Sequence, residues 1–200
     1  MTSVIIPNSV ANIGYSVFDG CTSLAEITIP SSVTSIGGNA FQNTPWLAAR
    51  QEENPLVIVN GILLDGTTCT EEEIVIPNDV TSICGFAFWE NHMTSVVIPD
   101  SVTSIGSYAF SDCGNLKNIT IPDSVTFFGE SVFTNTAWVT YRYDENPLLI
   151  INHILVDVDF DQCSGKVTIP DGVTSIAEGA FENCSQITEI AIPDSVNSIG

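Results

Sequence analysis

The chain has 200 residues, with 24 acidic side chains against four basic ones. The resulting formal charge of −20 repels phosphate backbones and anionic membranes, which excludes nucleic acid as a partner; it reads as a solubility coat on an apolar chain, with affinity for cations or basic partners as the alternative. Hydrophobic residues make up 44% and mean hydropathy is +0.28, too apolar for a disordered chain, yet no run approaches the ~20 apolar residues of a membrane span.

From the first residues onward one pattern recurs, I-x-I-P-x-x-V-x-x-I-G-x-x-A-F. Its prolines are Pro7, Pro30, Pro77, Pro99, Pro122, Pro170 and Pro193, separated by 23, 47, 22, 23, 48 and 23 residues. One unit is therefore near 23 residues, and two stretches hold a degenerate pair. A fixed period of this size marks a solenoid, in which each coil touches only its neighbours. The regularity predicts a single domain over residues 1–200. Neither end carries a polar capping sequence, so a piece of a longer array is expected, and no signal peptide is present in it.

Within one unit, Ile27 and Ile29 alternate with Glu26 and Thr28, the period-two signal of a strand that Pro30 ends for want of an N–H. Ser31 and Ser32 suit a turn. Val33 and Ile36 then point inward through a second, short extended segment. Gly37 permits a reversal, and Ala40 and Phe41 are expected to enter the core on a short helical turn. The outward strand residues are Glu26, Thr28, Glu73, Val75, Ser95, Val97, Asn118, Thr120, Lys166, Thr168, Glu189 and Ala191. They are small and varied, which suits a broad contact more than a pocket.

The two long units, Asn43–Glu73 and Asn135–Lys166, match each other. Each predicts a short helical stretch followed by two apolar runs around a two-residue turn. Asn60-Gly61 is a favoured type I′ hairpin signal, and Asn152-His153 is a poorer version of it. The chain thus holds a higher-order repeat, with Pro7, Pro30 and Pro77 reappearing 92, 92 and 93 residues later. If that period is a whole number of coils, both long units emerge on one side. The first carries Trp46 and Arg50, the second Trp138, Tyr141, Arg142 and Tyr143. Ring faces beside arginine are common at protein and sugar contacts, which makes these six the candidate binding residues. The competing reading is that the tryptophans seal the degenerate coils.

Catalytic patterns are absent. His92 and His153 stand alone in turns, and the spacing proposes no nucleophile–base pair. The six cysteines form no zinc pattern; Cys21, Cys113 and Cys184 follow their prolines by 14 residues and read as small core hydrophobes. All six are expected to be reduced, with Cys163 and Cys184 the one pair on neighbouring slots. Asp157, Asp159 and Asp161 alternate as in a calcium loop, but Gln162 stands at the required glycine and Thr168 at the closing glutamate, so an EF-hand is excluded and only a weak surface cation site remains. Asp100, Asp123, Asp171 and Asp194 read as a solvated row of turn residues.

The repeat, extended to A-F-x-x-C-x-x-L and best seen at Ile119–Gly129 and Val97–Leu116, resembles the BspA-like leucine-rich repeat family over essentially the whole chain. Cys84 and Ala177, where glycine is expected, are departures. The resemblance implies an α/β, strand-dominated fold: a right-handed solenoid with a parallel sheet on one face and short helices or turns on the other. It also implies an extracellular or cell-surface, non-enzymatic adhesion module without cofactors. Its partner would be a protein or glycan, with no membrane insertion, and a monomer is expected. The alternatives are a passive spacer between other domains and, least favoured, an enzyme fragment.

Overall fold

The computed structural model describes residues 1–200. In chain order the elements are β1 (Ser3–Ile5), β2 (Asn12–Ile13), β3 (Glu26–Thr28), β4 (Ser35–Ile36), α1 (Pro45–Glu53), β5 (Val57–Val59), β6 (Ile62–Asp65), β7 (Glu73–Val75), β8 (Ser82–Ile83), β9 (Ser95–Val97) and β10 (Ser104–Ile105). There follow β11 (Asn118–Thr120), β12 (Phe127–Phe128), α2 (Ala137–Glu145), β13 (Leu148–Ile151), β14 (Ile154–Val158), β15 (Gly165–Thr168), β16 (Ser175–Ile176), β17 (Ile187–Ala191) and β18 (Ser198–Ile199). They wind into nine stacked coils, so the 92-residue period is four coils.

The strands before the prolines pair in parallel, β1 with β3, β7 with β9 and β11, and β15 with β17. Each ladder gains one more bond from the isoleucine before the proline, as when Ile76 N–H donates to the Val97 carbonyl at 3.0 Å. A β-turn follows every repeat proline, with the valine three residues on donating to the proline carbonyl. Serines in these turns staple coil to coil: Ser32 Oγ donates to Val10 O at 2.9 Å and Ser124 Oγ to Val102 O at 2.8 Å.

The second extended segments also pair in parallel, β2 with β4, β6 with β8, β10 and β12, and β14 with β16 and β18. The solenoid therefore has two strand-bearing faces. The A-F segment joins the coils in a third ladder: Phe18, Phe88 and Phe110 N–H donate to the carbonyls of Ala40, Ala109 and Val132 at 2.8–2.9 Å. This segment is not the helical turn expected from the sequence. In six coils it is a pair of turns whose left-handed residues lie four apart, Ser16/Gly20, Asn39/Asn43, Phe86/Glu90, Tyr108/Asp112, Ser131/Asn135 and Gly179/Asn183. Two left-handed residues re-aim the chain so that the alanine and phenylalanine between them point inward.

Each long unit interrupts both ladders in the same way. Antiparallel β5 and β13 pair with β6 and β14 and close the second sheet locally. The helices stand beside β3 and β11, where the Trp46 and Trp138 N–H groups donate to Leu24 O and Leu116 O at 3.0 and 2.7 Å. Thr44 and Thr136 cap them, each hydroxyl accepting from the backbone three residues on and donating to a phenylalanine carbonyl. At the hairpin turns, Asn60 Nδ2 donates to Pro30 O and Val33 O, and Asn152 Nδ2 to Pro122 O and Val125 O. The asparagine thus serves the valine carbonyl that a turn serine serves in an ordinary coil, and the proline carbonyl as well. The type I′ turn sets positive φ at both central residues, +51° at Asn152 and +64° at His153, an angle that glycine at 61 meets without strain.

Candidate functional site

The core is a column of side chains. Within it, phenylalanines stack in parallel: Phe18 on Phe41 at 5.7 Å, and Phe88 on Phe110 and Phe110 on Phe133 at 5.3 and 5.8 Å. Each stack ends on a tryptophan, Trp46 at 4.7 Å from Phe41 and Trp138 at 4.9 Å from Phe133. Both indoles are buried, 5% and 7% exposed, in the place a phenylalanine holds in ordinary coils. Arg50 and Arg142, four residues on along each helix, lie over the indoles at 5.5 and 5.0 Å.

The structure brings together Trp46 with Arg50, and Trp138 with Arg142, at equivalent positions of the four-coil period. The first pair borders an open notch of about 450 Å³ between the outer surface of β3 and α1, lined by Glu26, Thr28, Ala49 and Glu53 among others. In the second unit Tyr141 stands where Ala49 does, 63% exposed beside exposed Arg142. Tyr143 does not join them. On a helix, positions 141 and 143 face different ways, and Tyr143 turns half-buried toward the Asp157 carboxyl. Burial and that carboxylate both push the Tyr143 phenol above its ordinary range.

Asp157 is the counterpart of Asp65, and Tyr143 of Gln51. Asp65 is buried and satisfied, accepting from Gln51 Nε2, Thr67 N and Thr67 Oγ1 at 2.9, 3.1 and 2.9 Å. At Asp157, burial raises the carboxyl above its usual range against the opposing pull of Tyr143 and the Val158 N–H. A proton is therefore held more tightly in the folded than in the unfolded chain. The stability this group supplies is present below the ordinary carboxylate value and is lost as pH rises through the raised one. Asp157→Asn is expected to gain stability over the parent as pH is raised from 4 to 8; urea melts across that range check it.

The three alternating aspartates do not converge on a cation. Asp157 points toward Tyr143, Asp159 accepts from Asp161 N and Gln162 Nε2 at 3.0 and 2.7 Å, and no set of three ligating side chains forms. His92 and His153 are exposed, and neither lines the notch. The six cysteines are free thiols, with Cys69, Cys84, Cys113 and Cys163 buried. Burial pushes the Cys84 and Cys113 thiols up to about 12. Alkylation of the native protein at pH 8 is expected to label Cys21 first and spare Cys84 and Cys113, whereas urea exposes all six; peptide mass mapping reads the difference.

The repeat that defines the BspA-type leucine-rich repeat region matches in six copies, over residues 1–54, 67–154 and 153–200. The chain belongs to that family. Among solved structures it is similar to a leucine-rich cell surface protein of Faecalibacterium prausnitzii, at 26% identity and TM-score 0.45, covering 100% of this chain and 59% of that one. A leucine-rich repeat protein of T. pallidum is 24% identical, TM-score 0.39, with 99% and 72% covered. One from Bacteroides ovatus is 19% identical, TM-score 0.33, with 100% and 62% covered. No curated protein matches. Leucine-rich repeats of this type build interaction modules and are typically non-enzymatic. No helix is long and apolar enough to cross a membrane.

Proposed function

We propose that this chain is a non-enzymatic interaction and adhesion module of an extracellular or cell-surface protein, and that it binds a protein or glycan along its first sheet and the flanking helices. The observation that carries the reading is the repeated arginine-on-tryptophan pair. Two of only four basic residues occur at the same place in two successive periods, each lying over a buried indole beside the outer strand surface. The strand surface next to them exposes Glu26, Thr28, Asn118 and Thr120. An arginine held by an indole gives up little freedom on binding and offers a planar set of donors on an otherwise acidic molecule. Tyr141 adds exposed ring area at the second site.

Arg50→Ala, Tyr141→Ala and Arg142→Ala, combined, should weaken capture of an immobilised extracellular protein or glycan from a panel by about ten-fold. The melting temperature should hold, since all three side chains are exposed. Unchanged capture moves the contact elsewhere. No capture of any panel member by the parent protein favours a passive spacer.

A further inference from the structure

We infer that the second strand face carries a separate binding groove for a neutral, hydroxyl-rich saccharide chain. This inference rests on the reading of the chain as an interaction module and assigns it a ligand class and a site away from the helices. The groove measures about 600 Å³ and draws on coils one, two, four, five and six. Its floor is backbone at Gly37, Gly38, Gly85 and Gly106. Gly38 and Gly85 come together across the third coil, which has no A-F turn to separate them; a Cβ on Gly38 would lie 2.8 Å from Gly85 O.

The walls are aromatic. Tyr15 and Phe127 are 63% and 53% exposed, and between them Phe86 stacks on Tyr108 at 5.0 Å. Phe127 occupies the register of Ser82 and Ser104 on the neighbouring strands, so an exposed ring replaces the hydroxyl found there. Phe86 and Tyr108 sit at φ +63° and +59°, a region that bulky residues rarely enter. The same turn position carries Ser16, Asn39, Ser131 or Gly179 in other coils. Two rings are thus held at strained positions where small residues serve elsewhere, as in ligand clamps.

The lining sets the ligand class. Ser35, Ser82 and Ser104 present their side chains to the groove, and none of the three hydroxyls has a hydrogen-bond partner within the protein. Ser82 and Ser104 stand side by side on neighbouring parallel strands, about 4.8 Å apart, and Ser35 lies beyond them on the second coil. None of Arg50, Lys117, Arg142 and Lys166 lines the groove, so an anionic ligand meets only repulsion. The single acidic lining residue, Glu130, already accepts from the Tyr108 hydroxyl. An extended peptide would need free backbone groups to add as a strand. Most of those at the floor are used: Gly37 and Gly106 N–H donate to Ile13 and Ile83 carbonyls, their own carbonyls accept from Ala40 and Ala109, and Gly38 O accepts from Ser16, which leaves only scattered groups at Gly38 and Gly85 and no continuous edge for a strand to join. What remains is ring surface and hydroxyls, the chemistry that recognises uncharged sugars.

Trp89 meets Phe86 edge-on at 6.4 Å and reports on the groove by fluorescence. The full chain is titrated with cellohexaose, mannohexaose and N-acetylchitohexaose, with a heparin hexasaccharide and a neutral hexapeptide as controls. At least one neutral hexasaccharide is expected to give a saturable Trp89 change, and the controls none. Tyr15→Ser with Phe127→Ser should weaken that binding about ten-fold with the melting temperature held, because both rings are exposed. Tyr141→Ala should leave it unchanged, which separates this groove from the helix edge. Saturable binding of the peptide or heparin instead, no response to any neutral saccharide, or a response indifferent to the double variant overturns the inference. The helix-edge proposal stands or falls on its own variants.

Discussion

Phe110→Ala is expected to destabilise the protein by ~3–5 kcal/mol, the range for deleting a large aromatic side chain from a packed core. Phe110 has no solvent exposure and lies between Phe88 and Phe133 in parallel stacks. Truncation opens a cavity with walls on two sides that are other coils' rings. Those rings cannot collapse inward, because backbone bonds on each side fix the coil spacing: Phe88 N–H to Ala109 O and Phe110 N–H to Val132 O at 2.8 and 2.9 Å. The cost should therefore fall at the upper part of the range. Phe160→Ala, at a phenylalanine 51% exposed, is expected to stay within about 0.5 kcal/mol. Urea melts of the two variants against the parent decide it. A loss below about 1 kcal/mol at Phe110 would mean that the ring column is not the core.

The column was legible in the sequence because its residues recur at one spacing, and burial follows the A-F slot coil after coil. The strand before each proline was legible for the same reason. The pairing of the second segments was not, since strands of two residues, such as Ser35–Ile36, show no alternation to read. The double turn around A-F was hidden by its residue types. Asn39 and Asn43 suit left-handed positions, but Phe86, Glu90 and Tyr108 do not, and only coil-to-coil hydrogen bonds hold them there. At the candidate edge the sequence named the residues and left open whether the indoles face a partner or the core. The answer is the core for the tryptophans and solvent for Arg50, Tyr141 and Arg142. Tyr143 parts from Tyr141 because the segment is helical rather than extended. The glycine-floored groove was out of reach, because it joins residues from 15 to 130 that no local spacing connects.

Gly106→Ala is expected to cost about 3 kcal/mol and to loosen the cooperativity of unfolding. The consensus glycine after the second strand is set by the coil before it. A Cβ at Gly106 would lie 2.4 Å from Gly85 N, and one at Gly37, Gly129 or Gly200 would lie 2.4–2.6 Å from the backbone nitrogen of Tyr15, Ser107 or Glu178. Each obstacle is main chain, so no flexible side chain can yield, and the coils must part. The two departures from the consensus confirm the cause. Cys84 and Ala177 each follow a long unit, whose coil has no A-F turn and leaves that space open. Cys84 uses it, its Sγ donating to Ile36 O at 3.1 Å two coils away. Gly106 has no such room, because the coil before it is an ordinary one. In a stacked array stability is nearly a sum of coil and interface terms, so one weakened interface lets the coils on either side melt apart. The variant should therefore show a lower midpoint and a shallower urea transition, while Gly114→Ala, where a Cβ meets nothing within 4 Å, should match the parent. A Gly106→Ala protein that melts like the parent would show that the coils are not in backbone contact at this position. The consensus glycine would then need another cause.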